Sequence, residues 1–460
     1  PRANREGKRK QYFPETGRIN NTNAHFRVCI FYRDTNGLTL AFHRERDMLD
    51  FERFTLDNGL RVIVHKDTTT PMVAVNVLYD VGARDENPER TGFAHLFEHL
   101  MFGGSENIPS YDEPLQMAGG ENNAYTTNDI TNYYIQLPLQ NIETAFWLES
   151  DRMNALAFSE KSLDVQRKVV SEEFKEHYIN KPYGDAWENM RKLAYKQHPY
   201  QWMTIGKELK HIEDAHLDDV KSFFYKHYRP VNAILSVAGN VTTEQVRQLA
   251  EKWFGSIPAG DKYNRNLPQE PQQTEARVAT IEANVPLDAL YKAWHIGGRM
   301  SPSYYTADLI TEIMGNGVAS RLHLRLVKEL QLFSNISCYH TGSTDPGLLV
   351  IEGKIVEGKS IEDANAAVEA EIEKLVSSGV TEDELQKAKN KIEAMITFED
   401  MTILSRTNNL AFYELLGDAD LINKEWNNYN TVTTAMLQQT AQEVFRKENS
   451  NTLFYKRKAQ

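Results

Sequence analysis

Only two cysteines, Cys29 and Cys338, occur in 460 residues. So sparse and widely separated a pair excludes a disulfide framework and a thiolate metal site, and it points to a reducing compartment. Long apolar runs are missing too. No stretch approaches the roughly 18 consecutive apolar residues of a bilayer-crossing helix, and no short apolar core follows the charged N-terminus as in a secretory signal. An excess of positive charge is also absent: the formal net charge of −12 argues against a general nucleic-acid binder, whose affinity comes from Lys and Arg clustered on phosphates. These absences make a cytoplasmic protein the expectation, with the periplasm and the mitochondrial matrix as alternatives, and they leave polypeptide substrates open.

What is present suits a globular protein. Hydrophobic residues make up 41% and charged residues 25% of the chain, and the length exceeds what one hydrophobic core serves. Residues 1–50 read as a basic extension, with ten Lys and Arg against five Asp and Glu up to Asp47. A patterned chain begins near Met48, where Asp57-Asn58-Gly59 separates two strand-like runs as a hairpin turn. Strand patterns over 62–66 and 73–80, helical patterns over 92–102 and 111–117, strands through Tyr125 and over 133–137, and mostly helix from 139 to 195 follow. A helix over 216–228, a buried strand over 233–238 and a helix over 243–254 complete this half. Pro258, Gly260, Pro268 and Pro271 then end the periodicity. The expected division is therefore a domain over 51–260, a linker over 261–275 and a second domain over 276–460.

The second half repeats the order of elements. Residues 79–99 match 294–314 without gaps, and 159–174 lie over 381–396. A duplication of this kind predicts an α+β fold of two homologous domains, each a mainly antiparallel sheet with helices packed on one side, facing each other across a cleft. The cleft is the natural place for a site.

His95-Leu96-Phe97-Glu98-His99 lies in a helical pattern whose apolar positions are Phe93, Leu96, Phe97, Leu100 and Met101. On a helix i and i+4 share a face, so both imidazoles reach one cation, and Glu98 stands beside them as a base for a bound water. Zinc favours such nitrogen ligands, and a catalytic site needs three protein ligands with a fourth position for water. The third ligand is sought in Glu172-Glu173, on a helix flanked by Val169, Val170 and Phe174. Glu173, three residues beyond Val170, lies closer to the packed face than Glu172. In the matched registers His95, Glu98, His99 and Glu173 correspond to Ile310, Ile313, Met314 and Met395. The polar set is thus surplus to the fold, as expected of a site and not of packing. The ligand set also tolerates Co²⁺ or Mn²⁺.

These residues resemble the pitrilysin and insulinase-type zinc metallopeptidases, the group that includes insulin-degrading enzyme and mitochondrial processing peptidase. The likeness runs from about Phe51 to the end, and is greatest to the processing-peptidase-like bacterial members. It implies that His95 and His99 bind zinc, that Glu98 is the base, and that Glu173, 74 residues beyond His99, completes the metal site. The family's segment before that ligand usually begins with Glu, where this chain has Gln166. Residues 119–126 resemble the family's edge strand, along which an extended substrate pairs by backbone hydrogen bonds, with Asn123, Ala124 and Thr126 as the expected contacts. One departure concerns an Arg and a Tyr seven residues later that family members supply from the second domain. Their places are held by Val327 and Ser334, while Arg325 and Tyr339 lie nearby without the spacing. The resemblance therefore implies a zinc endopeptidase subunit for short or unfolded polypeptides. Its expected assembly is a heterodimer with a metal-free subunit that supplies the Arg/Tyr pair, or a homodimer. The alternatives are a metal-binding but individually inactive chain and a structural subunit of the respiratory-core type.

Overall fold

The most apolar strands of the chain, 72–79 and 233–239, bury both faces instead of alternating. Such strands have to be central in a sheet covered on both sides. A computed structural model describes residues 48–459, and the two strands are neighbours in a six-stranded sheet of order β1-β2-β6-β3-β5-β4. Its members are β1 (Glu52–Thr55), β2 (Arg61–Lys66), β3 (Met72–Tyr79), β4 (Glu121–Thr126), β5 (Thr131–Pro138) and β6 (Ala233–Gly239). The second sheet, β7-β11-β8-β10-β9, contains β7 (Arg277–Ala283), β8 (Ala289–His295), β9 (Phe333–His340), β10 (Leu348–Ile355) and β11 (Ser450–Arg457). Each sheet has a single parallel pair, β2 with β6 and β11 with β7. Without the short hairpin strand β1, the two orders superimpose strand for strand.

Helices of the first half are α1 (Phe93–Leu100), α2 (Asp112–Met117), α3 (Ile142–Asn154), α4 (Glu160–Phe174), α5 (Ala186–Ala194), α6 (Leu209–Glu213), α7 (Leu217–His227) and α8 (Thr243–Phe254). The second half has α9 (Tyr304–Gly315), α10 (Ile361–Ser378), α11 (Glu382–Glu399), α12 (Ile403–Leu415), α13 (Leu421–Asn430) and α14 (Thr434–Val444). On one face of the first sheet Val62, Val75 and Val77 pack with Leu96, Phe97, Phe146, Phe224 and Phe254. In the second half Leu349 and Ile351 pack with Leu309, Ile310, Leu375 and Leu437. The expected helices on one side of each sheet are present.

The other face of each sheet is covered by a helix from the opposite half. Ala411 of α12 joins Leu78 and Ile234, Leu410 joins Ile63, and Ile403 joins Ala74 and Ala238 on the first sheet. Reciprocally, Ala186, Met190 and Ala194 of α5 pack on Ala289, Ala293, Val350 and Leu453 of the second. Because α4 and α11 are matched in the duplication, α5 and α12 are the corresponding next helices, exchanged between halves. From Met48 onward the chain forms one compact unit.

A buried ion cluster adds to this exchange. Arg84, its side chain 3% exposed, reaches Asp345 on the β9–β10 loop at 2.8 Å and Asp129 at 3.1 Å. Tyr200 donates to Asp129, and the Thr344 N–H donates to the same carboxylate at 2.9 Å. Residues 261–275 have no regular structure, as the prolines predict, yet they are tied down. Arg265 bonds Asp85 at 2.7 Å and Asp80 at 2.8 Å, and Glu270 accepts the N–H groups of Lys196, Gln197 and His198.

Strands β7 and β11 were missed. Helix α9 stops at Gly315, where a Cβ would lie 2.3 Å from Cys338, and a π-helical turn occupies His323–Glu329. The basic extension falls, up to Asp47, outside the described residues.

Candidate metal centre

Helix α1 is short, and its position is fixed at its start. Gly92 takes φ +88°, and a Cβ there would come within 2.5 Å of the Ile205 carbonyl oxygen. The buried Glu86 carboxylate accepts the N–H groups of Gly92 and Ala94, both at 2.9 Å, satisfying donors that the first helical turn leaves unpaired. Leu96 and Phe97 are fully buried, which sets the rotation of the helix and turns His95 and His99 to the adjacent face. Their rings stand 4.8 Å apart at 81°.

Glu173 comes from the last turn of α4, whose buried Val170, Ser171 and Phe174 orient it; a π-helical turn over Lys175–Ile179 follows at once. Such turns are frequent at functional sites. The His95 Nε2 lies 3.7 Å from one Glu173 oxygen and the His99 Nε2 3.4 Å from the other. One ligand atom from each of the three residues falls within 4.8 Å of the others. Two atoms that each bind a tetrahedral zinc ion are separated by roughly 3.4 Å, so the spacing fits. Burial, with His99 adding to it and Glu173 opposing it, pushes His95 down to about 4. A neutral imidazole is a ligand and not half of an ion pair, and the buried His95 Nδ1 has no hydrogen-bond partner among the described residues. Two imidazole nitrogens and a carboxylate converging on one point suit a divalent cation. The side chains are 14%, 25% and 33% exposed, enough for water to reach them. Glu172 turns away and pairs with Lys175 at 2.7 Å.

Glu98 accepts a hydrogen bond of 2.6 Å from the Thr126 hydroxyl. Burial raises its carboxyl above the ordinary value, and that hydroxyl opposes the rise. Thr126 ends β4, the edge strand of the first sheet. The Thr127 N–H donates to the Ile130 carbonyl at 2.9 Å, and antiparallel pairing alternates. Residues 121, 123 and 125 therefore spend their backbone groups on β5, while Asn122, Ala124 and Thr126 present theirs along the open edge. Of the three expected contacts, Ala124 and Thr126 have backbone on that edge. Asn123 does not, and its side-chain oxygen accepts the Ala124 N–H at 2.8 Å.

In the second half Ile310, Ile313 and Met314 are buried, as expected of core replacements, but Met395 is 45% exposed. Val327 packs against the second core and Ser334 is exposed on β9. Arg325 pairs with Glu329, and the Tyr339 hydroxyl donates to Glu352 at 3.1 Å, so both are engaged within their own half. Glu86 was not singled out from the sequence, although a signal existed: the matched register places Ser301 opposite it.

Among the described residues no helix is long and apolar enough to cross a membrane. Residues 61–208 match the family Insulinase (Peptidase family M16), and residues 214–392 match the Peptidase M16 inactive domain. The chain is 28% identical to Zinc protease PqqE of Helicobacter pylori over 91% of its own length and 96% of that protein. It is 27% identical to the mitochondrial-processing peptidase subunit beta of Saccharomyces cerevisiae over 57% of each chain. A solved protease from Helicobacter pylori superimposes with a TM-score of 0.83 at 28% identity, over 88% of this chain and 99% of that one. Pitrilysin, at 18% identity, shares the fold with a TM-score of 0.73 over 88% of this chain and 45% of that one. Sheet order, duplicated halves and both domain matches agree, and the chain belongs to the insulinase family of peptidases, peptidase family M16.

Proposed function

We propose that this chain is the zinc-bearing subunit of an endopeptidase acting on short or unfolded polypeptides. The observation that carries the reading is the convergence of His95, His99 and Glu173 within 4.8 Å, beside a carboxylate bonded from an open sheet edge. His95, His99 and Glu173 hold the metal. Zinc, when bound, supplies a Lewis acid that lowers the pKa of a coordinated water toward about 7 and polarises the scissile carbonyl. An extended peptide pairs with outward backbone groups of Asn122, Ala124 and Thr126, replacing the Asn123 side chain on the Ala124 N–H, which brings its scissile bond past α1. Glu98 takes a proton from the attacking water at its free carboxylate oxygen and returns it to the leaving amine. The expected division of the chain, 51–260 carrying the metal and 276–460 without it, follows from the same reading.

Metal content and peptide hydrolysis measured on one purified preparation test it. One zinc per chain is expected, with hydrolysis falling by about 10²–10⁴-fold in Glu98→Gln while the metal stays; a preparation that takes up no metal overturns the reading. His95→Ala should lose both properties. A second reading, a metal-binding chain that is inactive alone, is favoured by Val327 and Ser334 at the Arg/Tyr places and by the engagement of Arg325 and Tyr339. It predicts zinc uptake without turnover until a metal-free subunit carrying that pair is added.

A further inference from the structure

We infer that Thr126 is a positioning residue for Glu98, fixing the carboxylate of the base from the same strand that receives the peptide backbone. This rests on the function proposed above. A glutamate has three side-chain torsions, each of which has to be fixed for its carboxylate to hold one place. Among the described residues, Thr126 is the one residue that hydrogen-bonds Glu98, at 2.6 Å, the length of a charge-assisted bond. Its hydroxyl engages one carboxylate oxygen, and its backbone N–H acts on the same carboxylate.

The donor itself is held firmly. Thr126 is paired with Thr131 in the β4–β5 ladder, and the buried Thr131 hydroxyl donates to the Val81 carbonyl at 2.9 Å. The turn beyond it is closed by the Thr127 hydroxyl, which accepts the N–H groups of Asp129 and Ile130, both at 3.0 Å. Asp129 is in turn clamped by Arg84, Tyr200 and Thr344. A β-branched side chain on such a strand is stiff about its first torsion, so the hydroxyl is a fixed point. The backbone of the same residue faces the open edge. One residue therefore sets both the register of an added peptide strand and the place of the base, and no loop intervenes between them.

The test compares Thr126→Val, which keeps the shape and removes the hydroxyl, with Thr126→Ser, which keeps the hydroxyl. Crystallography of the metal-free full-length chain is the readout that needs no activity. Thr126→Val should lose the single Glu98 position and Thr126→Ser should retain it; an unmoved Glu98 in Thr126→Val overturns the inference whatever the enzyme does. In the zinc-loaded chain, Thr126→Val should lower kcat by about 10–100-fold with KM and zinc content unchanged, and Thr126→Ser should restore most of kcat. Placed in the Glu98→Gln background, Thr126→Val should cost nothing further, because the two residues act as a unit. A raised KM at unchanged kcat would make Thr126 a peptide contact only and overturn the inference. Failure of the proposed function shows separately, as wild-type chain without zinc or without loss in Glu98→Gln.

Discussion

Glu86 is the residue on which α1, the helix of the proposed metal ligands, hangs. Its carboxylate binds the N–H groups of Gly92 and Ala94, and His95 is the next residue, so the first ligand stands within one turn of that anchor. Replacing Glu86 by Ala leaves two buried donors unpaired, at a cost of about 1–3 kcal/mol. Urea unfolding should show this loss. Because the anchor acts on a ligand's backbone, zinc affinity measured by competition with a chelator should also weaken, by about tenfold or more. Unchanged affinity at reduced stability would separate the anchor from the metal site. The His95 and His99 pair was legible in the sequence because it depends on nothing beyond one helical turn. Glu173 was legible by a different route, from its place three residues beyond Val170, which is buried on α4. Asn123, expected beside Ala124 and Thr126 from the resemblance to an edge strand, has its backbone turned to β5 by the pairing register, which a sequence does not display. Glu86 acts on backbone donors too, and its trace in the sequence is a single position, where the matched register carries Ser301.

At the scale of elements, the exchange of α5 and α12 ties stability of the first half to residues far downstream in the second. Leu410 on α12 is fully buried against Ile63 of β2. Leu410→Ala should cost about 2–5 kcal/mol, and zinc release should follow the same urea transition as loss of helix. Two separate transitions would show instead that the halves unfold independently. The sequence revealed most strands and helices, since β3 and β6 are continuous apolar runs and α8 begins at a Thr242–Gln245 capping box. It did not reveal β7 and β11. Strand β7 alternates between half-buried and exposed residues at a sheet edge, and β11 carries Ser450, Asn451 and Thr452 before its apolar core; neither offers a strong run. The exchange itself was invisible, because α5 and α12 read as ordinary amphipathic helices and only tertiary packing says whose sheet they cover.

Over the whole molecule the halves are joined by apolar helices and by charge. Burial pulls the Asp345 carboxyl upward, but His198 and Arg84 prevail and hold it down at about 2. A carboxyl depressed below its ordinary value of about 3.9 contributes stability that is complete above pH ~4 and is lost as pH falls through about 2. Urea midpoints measured from pH 4 to pH 2 should therefore fall more steeply in the wild type than in Asp345→Asn. Removing the cation is harsher. Arg84→Ala leaves Asp129 and Asp345 facing each other without it, at a cost on the order of 3–5 kcal/mol, readable as a lowered Tm.

The exchanged helices also impose an order on synthesis. The first sheet gains its last strand at Gly239, yet Ala74, Leu78 and Ile234 stay uncovered on one face until α12 has been made, ending at Leu415. At a ribosomal rate of roughly 5–20 residues per second that delay lasts on the order of ten to thirty seconds. During it, a finished sheet presents bare aliphatic surface to the cell. The nascent chain is therefore a natural client for a holding chaperone at that stage, and the proposed zinc ligands, although all made by residue 173, belong to a half that cannot be completed before its partner.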